Sequence, residues 1–218
     1  MSELSNEQIA ALRVDYTLKE FDESHVLANP IEQFKIWFKE ALDAQINEPN
    51  AMTLSTISTD GIPDSRIVLL KGVTDNGFTF FTNYNSNKAK QMEHNPNVSL
   101  VFAWLELQRQ VRVIGIVNKL SDEENDLYFS SRPIQSQLGA IASPQSEKIE
   151  SREVLEKNFQ KADELYRQNG KVERPKHWGG YFVEAKKIEF WQGRSSRLHD
   201  RLVFKHDEGR WIRYRLAP

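Results

Sequence analysis

This sequence predicts a mainly β fold, an antiparallel barrel or sheet with helices at its ends, and three observations predict it. Short runs rich in β-branched and aromatic residues are joined by tight Asp-Gly and Asn-Gly turns, the chemistry of hairpins rather than crossovers. Strand runs lie on both sides of the helical ones. No internal repeat or low-complexity linker divides the 218 residues, so one domain, 1–218, is expected.

The elements follow in order. Ser5 with Gln8 is a capping-box pattern, and Ile9, Leu12 and Tyr16 recur behind it at helical spacing. TLKEFDESHVLAN reads as loop. Asn29 before Pro30 places an N-cap ahead of a first-position proline and opens IEQFKIWFKEALDAQI, with Phe34, Trp37, Phe38 and Leu42 on one stripe and Pro49 as its stop. AMTLSTIS, SRIVLLKG and FTFFTN read as strands, SNKAKQMEHN as a short helix stopped by Pro96, and NVSLVFAWL and RQVRVIGIVNKL as two further strands. Ser121 with Glu124 caps a helix to about Phe129; Pro133 interrupts it and IQSQLGAIA resumes. Ile149 to about Asn169 reads as an amphipathic helix with Gly170 beyond its end. GGYFVEAKKIEFWQG, RLHDRLVFKH and WIRYRL return to antiparallel strands.

Hydrophobic residues make up 39% and charged residues 28%, as in a globular chain, and the formal net charge of −2 offers no global field for nucleic acid or anionic membrane. There is no cysteine, which removes disulfides, thiolate metal sites and cysteine nucleophiles together. No run approaches the roughly 20 apolar residues of a bilayer span, and the first residues are polar and amphipathic, so a cytoplasmic protein is expected. No GxGxxG follows a strand, no GxxxxGKS/T occurs, and neither an HExxH motif nor a GxSxG elbow is present. An anion held by this chain is held by some other geometry.

Four stretches carry the local positive charge. In SRIVLLKG an apolar centre separates Arg66 from Lys71, which strand alternation sends to opposite faces, each to a separate anion or each snorkelling at a strand end. In FFTNYNSNKAKQ, Thr82 and Ser86 offer hydroxyls where a helix begins, and Lys88 in the opening turn is unfavourable without an anion there. YFSSRPIQSQ spaces Tyr128, Arg132 and Ser136 by four, a phenol, a guanidinium and a hydroxyl suited to a phosphate monoester. In WQGRSSRLHDRLVF a strand reading puts Arg197, His199 and Arg201 on one face, either turned toward flat aromatic rings beside Trp191 or serving as gatekeeper charges on a solvated edge. Together these clusters suit two phosphates and two ring systems, a flavin mononucleotide and a phosphorylated aromatic substrate.

The chain resembles the pyridoxine (pyridoxamine) 5′-phosphate oxidase family over nearly its whole length. The matching stretches are RVDY, SRIVLLKG, FFTNYNSNKA, RQVRVIG, YFSSRPIQSQLGAIASPQS, HWGGY, IEFWQGRSSRLHDR and the terminal RLAP. The resemblance implies an FMN-binding split β-barrel, a helical lid over about 5–48, and a C-terminal strand region over about 178–218 that completes the active site. It implies a homodimer with FMN at the interface. The reaction implied is oxidation of pyridoxamine or pyridoxine 5′-phosphate to pyridoxal 5′-phosphate, with hydride passing from C4′ to flavin N5 and O2 reduced to H2O2. By motif position, Arg66, Ile67, Val68, Leu69, Leu70, Lys71, Phe81, Thr82, Asn87 and Lys88 would hold FMN. Arg66 and Lys88 would take its phosphate with Thr82, Gln145 and Ser146, while Gln110, Trp191 and Arg201 would meet the flavin. Lys71, Tyr128, Arg132 and Ser136 would grip the substrate phosphate. Arg197 and His199, the catalytic pair, would bracket the pyridine ring, and Arg13 and Tyr16 would close over it.

The chain departs from the family's usual Ser-Arg-Lys pattern at Ser86-Asn87-Lys88, a lost cation worth roughly 1.5–3 kcal/mol if nothing replaces its hydrogen bond. Two other functions fit part of the pattern. One is a split-barrel flavin reductase using a nicotinamide cofactor, for which the YFSSRPIQSQ cluster is dispensable. The other is a non-catalytic FMN or pyridoxal phosphate binding module. Nucleic-acid binding has no motif behind it.

Overall fold

The computed structural model describes residues 5–12, 15–24 and 26–218. Six helices and nine strands occur among them: α1 (Asn6–Ala11), α2 (Pro30–Asp43), β1 (Ala51–Ile57), β2 (Pro63–Leu69), β3 (Gly72–Thr74), β4 (Gly77–Asn83), α3 (Asn87–His94), β5 (Asn97–Trp104), β6 (Arg109–Lys119), α4 (Asp122–Ser131), α5 (Ile134–Ala142), α6 (Arg152–Asn169), β7 (Trp178–Gln192), β8 (Asp200–Asp207) and β9 (Arg210–Arg215). The strands hydrogen-bond in the order β2-β1-β5-β6-β7-β4-β3, with β8 on β7 and β9 on β8. The chain divides into two compact units: Met1–Pro49, Phe102–Arg112 and Lys187–Pro218 form the first, and Asn50–Val101 and Val113–Lys186 the second.

In the first unit, α2 supplies the apolar face. Asn29 caps it through its side-chain oxygen, which accepts from Ile31 and Glu32 amides, with Pro30 following at the first position. Phe34 stacks toward Phe102 at 4.9 Å between ring centroids, and Trp37 meets Phe190 edge-on at 5.2 Å. Each buried aromatic contributes about 2–3 kcal/mol of hydrophobic stabilisation. The expected stripe is shifted by one residue near its end, since Ala41 is buried and Leu42 exposed. The helix also stops at Asp43, before the expected Pro49, because Gln45 takes a left-handed conformation with φ 55°. In this unit β8 pairs with the end of β7 from Lys187↔Lys205 to Gln192↔Asp200, and β9 returns along β8 through a Glu208-Gly209 turn whose φ angles of 44° and 82° suit a tight hairpin.

The second unit is built on the β1–β2 hairpin, paired from Ala51↔Leu69 to Ile57↔Pro63, and on β4 against the start of β7, from Gly77↔Glu184 to Asn83↔Trp178. β1 alternates half-buried and buried residues as a strand with one covered face should, and Met52, Leu54, Phe78, Phe80, Leu100 and Val183 are core. Both expected capping boxes are present, Ser5 with Gln8 and Ser121 with Glu124. Pro133 separates α4 from α5, and α6 ends at Gly170, whose φ of 71° a side chain would strain. No helix of the described residues is long and apolar enough to cross a membrane.

Candidate active site

A cavity of about 640 Å³ opens in the second unit. Arg66, Lys71, Lys88 and Arg132 all line it, and among the described residues no carboxylate does. Ile67, Val68 and Leu69 of β2, Phe81 and Thr82 of β4, and Tyr128, Ser136, Gln145 and Trp178 complete the part that bears on chemistry. Arg66 and Lys71 share this one cavity although strand alternation had sent them apart. The reason is that β2 ends at Leu69, so the alternation does not extend to Lys71, whose amide bonds to Thr79 O at 2.8 Å.

At one place in the cavity, Lys88 Nζ lies 3.2 Å from Gln145 Oε1 and 3.4 Å from Thr82 Oγ1, and Thr82 itself donates to Gln145 at 3.2 Å. Burial pushes the Lys88 ammonium below its ordinary pKa, and the nearby Arg66 charge pushes it the same way. Ser86 precedes α3 without capping it; its hydroxyl donates to Asn83 O at 2.7 Å, and the first turn carries no acidic residue. Uncapped amides, a lysine in the first turn and a second cation beside it are the electrostatics of an anion site.

At another, Arg132 sits in an aromatic cage. Phe81 stacks on Tyr128 at 3.8 Å and lies nearly parallel to Trp178 at 5.4 Å, while the Arg132 guanidinium lies 4.5 Å from the Trp178 centroid and 5.7 Å from that of Phe129. Gln137, buried at the start of α5, donates to Arg132 O at 2.8 Å and fixes the junction after α4. Arg132 NH1 is buried and has no hydrogen-bond partner among the described residues. Desolvation pulls the Arg132 pKa down and raises that of the Tyr128 phenol, so burial works against the charged form of each. An orphaned buried N–H in a cavity without carboxylates fits a phosphate oxygen.

The first unit holds a second cluster. Trp191, the penultimate residue of β7, meets His199 at 4.6 Å between centroids and Tyr16 edge-on at 5.8 Å. Gly193 permits this approach, since a Cβ there would lie 2.8 Å from the Tyr16 ring. His199 Nδ1 accepts from the Arg194 amide at 3.1 Å, which leaves Nε2 as the outward nitrogen. The single-strand reading of Arg197, His199 and Arg201 does not hold: β8 begins only at Asp200, and Arg197 ends a 3-10 turn (Ser195–Arg197). Ser196 and Arg197 both have left-handed backbone, φ 56° and 62°, so a local twist rather than strand alternation aims these side chains. Arg201 does lie on β8, where Nε and NH2 both reach Glu189 Oε1, at 2.9 and 2.8 Å; Glu189 is buried and also pairs with Arg112 at 3.4 Å.

The sequence-derived residues thus fall into groups. Arg66, Ile67, Val68, Leu69, Lys71, Phe81, Thr82, Lys88, Tyr128, Arg132, Ser136 and Gln145 are brought to one cavity. Leu70 is buried beside it, its amide bonded to Asn50 O; Asn87 is the exposed first residue of α3; Ser146 is exposed with φ 71°. Gln110 is half-buried on β6, and Tyr16, Trp191, His199 and Arg201 form the first unit's cluster, with Arg197 exposed at its edge. Arg13 lies outside the described residues. Trp178 and Gln137 were not singled out from sequence. The signal for Trp178 was its place before Gly179-Gly180, where Cβ atoms would come within 2.2 Å of Tyr84 Oη and 2.7 Å of the Phe81 ring, so the glycines let β7 bring Trp178 against Phe81.

Comparison with known proteins decides the family. A family model described as pyridoxamine 5′-phosphate oxidase matches residues 38–166, and one described as the pyridoxine 5′-phosphate oxidase C-terminal dimerisation region matches 178–218. The chain belongs to the pyridoxamine 5′-phosphate oxidase family. It is 54% identical to the pyridoxine/pyridoxamine 5′-phosphate oxidase of Nostoc punctiforme over 96% of this chain and 98% of that one, and 52% identical to that of Leptospira interrogans over 97% and 99%. Among solved structures it is similar to PhzG from Burkholderia lata in complex with tetrahydrophenazine-1-carboxylic acid, at 30% identity and a TM-score of 0.85, over 92% of this chain and 98% of that one. A pyridoxamine 5′-phosphate oxidase-related, FMN binding protein of Nostoc punctiforme, 14% identical with a TM-score of 0.68 over 85% and 97%, shares the fold. The split-barrel class that the resemblance implied is therefore the class of this chain, family membership makes it an oxidoreductase, and the C-terminal match supports a homodimer.

Proposed function

We propose that the chain is an FMN-dependent oxidase that converts pyridoxamine or pyridoxine 5′-phosphate to pyridoxal 5′-phosphate while O2 is reduced to H2O2. One observation carries this reading: a single cavity gathers four cations and no carboxylate, with the Arg132 NH1 donor left unpartnered. Arg66 and Lys88, with Thr82 and Gln145, take the FMN phosphate. Lys71, Tyr128, Arg132 and Ser136 take the phosphate of the substrate. When bound, FMN supplies the acceptor for the hydride that leaves C4′ and passes the electrons on to O2.

The protein's part is orientation. Phosphate anchoring at the Arg132 cage removes the rotational freedom of the substrate, so C4′ is presented at reacting distance without further cost. Trp191, Gln110 and Arg201 meet the flavin, Arg197 guides the C4′ end of the pyridine ring, and His199 offers Nε2 as a hydrogen-bonding partner rather than as an obligatory base. Tyr16, already packed on Trp191 and His199, excludes water from that ring. Two protomers form a homodimer with FMN at their interface.

The test is anaerobic addition of pyridoxamine 5′-phosphate to the FMN-loaded protein. Bleaching of the flavin absorbance, restored by air with release of H2O2, is the expected result. A flavin that stays yellow, or that bleaches with a reduced nicotinamide and not with the phosphorylated amine, rejects the oxidase reading.

A further inference from the structure

Arg66 is a cavity cation whose hydrogen bonds are already largely spoken for. NH1 donates to Thr56 Oγ1 at 2.6 Å and to Leu54 O at 3.3 Å, both on β1. NH2 donates to Asp64 Oδ2 at 2.5 Å and to Gln91 Oε1 at 3.2 Å. Of the five N–H donors of a guanidinium, four are engaged and only Nε–H remains. Gln91, on α3, locks the set together: its Oε1 also accepts from the Thr56 hydroxyl, and its Nε2 donates to Asp64 Oδ2 at 3.2 Å. This orientation of the amide is the one that satisfies every donor.

The four bonds are not alike. Those to Leu54 and Thr56 are made to the strand behind, in a β1–β2 register that pairs Leu54 with Arg66 and Thr56 with Asp64. The bond to Asp64 is made to a carboxylate two residues away on the same strand, with about half its side-chain surface exposed (47%). No carboxylate lines the cavity itself, so Asp64 is the anion seated on a cavity cation from outside. It is also near enough to Lys88 to oppose, through its charge, the lowering of that ammonium's pKa.

We propose, in a step that rests on the FMN assignment, that Asp64 occupies on Arg66 NH2 the position that the flavin phosphate takes, so that binding exchanges one anion for another. Gln91 and Thr56 are positioning residues in this exchange: they hold the guanidinium to β1 while the carboxylate lets go. In the flavin-free protein Asp64 offsets the repulsion between Arg66 and Lys88. In the loaded protein it opposes the incoming dianion, and Asn87 adds no charge to compensate. Arg66 and Lys88 thus stand against one carboxylate seated beside the pocket, a weakening that keeps the empty site stable and the flavin exchangeable.

The two residue types then have effects of opposite sign on FMN affinity. Titrating apoprotein into FMN and following flavin fluorescence, Asp64→Asn should tighten binding by about threefold to tenfold, the worth of one partly screened charge at close range. It should also steepen the loss of affinity with added salt and lower the melting temperature of the apoprotein. Gln91→Ala should weaken FMN binding by a similar factor. Riboflavin, which lacks the phosphate, should bind all three proteins equally. Asp64→Ser, which also removes the charge, should repeat the Asp64→Asn result and guards against an effect peculiar to the amide. Equal or weaker FMN binding by both Asp64 variants overturns the exchange and makes Asp64 a simple support for Arg66. A change of the same size with riboflavin overturns it too, because the effect would then not lie at the phosphate. Failure of every protein, wild type included, to bind FMN rejects the FMN assignment itself, an outcome distinct from the first two.

Discussion

A group of arginines in the first unit and the cavity cations of the second stand in opposite electrostatic states. In the first, the arginines of this group are answered by carboxylates: Arg194 by Glu20 and Asp200, Arg201 by Glu189, Arg215 by Glu23 and Asp200, and Arg109 by Glu40. In the second, Lys71, Lys88 and Arg132 line one cavity and make no ion pair among the described residues, and Arg66 alone is paired. A buried or half-buried cation without a counter-ion is costly unless an anion is to arrive, whereas a paired one is already spent on structure or orientation. The contrast separates cations that bind from cations that hold other groups in place. Arg197, Arg210 and Arg213 of the first unit make no ion pair among the described residues, and of these three Arg197 is the one proposed to meet the substrate ring.

The contrast breaks most visibly at Arg132. Arg132→Ala removes charge-assisted bonds from the proposed phosphate grip and should lower kcat/KM for pyridoxamine 5′-phosphate about 10²-fold, mostly through KM, the equivalent of about 3 kcal/mol. Stability should fall by no more than about 1–2 kcal/mol, the worth of the guanidinium's contacts with Trp178 and Phe129, because NH1 has no hydrogen-bond partner among the described residues to lose. A large loss of stability with unchanged KM would move Arg132 into the structural class. In the first unit the opposite balance is expected. Glu189→Gln strips the charge from a buried carboxylate that two arginines share, and should destabilise the fold by about 2 kcal/mol, seen as a lower midpoint in urea. If its stability is unchanged and only flavin binding suffers, the pair is part of the site rather than of the scaffold.

How much of this was legible in the sequence divides along the same line. Strand and helix positions were readable because turn residues and caps act locally: Asn29-Pro30, both capping boxes and Gly170 all sit where their chemistry put them. The cavity cluster was readable because its residues come as short runs on adjoining elements, as in Tyr128, Arg132 and Ser136 across the Pro133 break. What was hidden was every feature made by long-range contact or by backbone twist. Trp178 reaches Phe81 only through the β4–β7 pairing, and Glu189 reaches Arg112 only across strands distant in sequence. Alternation failed at Arg197 because two left-handed residues replace the strand there, and nothing in RSSRLHD declares that conformation.

That strained turn offers a smaller test of the comparison. Ser196 pays a side chain's penalty for φ 56°, about 1 kcal/mol, which a glycine does not incur. Ser196→Gly should therefore raise stability by about 0.5–1 kcal/mol while letting Arg197 swing. The expected signature is a higher melting temperature with a kcat about twofold to fivefold lower and little change in KM, since the phosphate grip lies elsewhere. A variant that gains stability at full kcat would show that the turn does not aim Arg197.

The smallest effect is expected where pairing is complete and solvent is near. The Arg215 hydrogen bond is the chief reason that the Glu23 carboxyl is held down to about 2, below its ordinary value of 4.5. Folding thus favours the carboxylate, so its contribution is fully present above about pH 4.5, declines as the pH falls, and vanishes only below about pH 2, where Glu23 becomes protonated in the folded protein. About half of the side-chain surface is exposed (47%), so screening reduces that contribution to about 0.5 kcal/mol. Glu23→Gln should lower stability by that amount near neutral pH and by only a small part of it near pH 2, with the two urea midpoints converging on acidification. Added salt should shrink the neutral-pH difference as well, because both partners of the pair face solvent. A difference that persists unchanged at low pH would assign the effect to packing, and the pairing of Arg215 would then no longer be an electrostatic feature of the first unit.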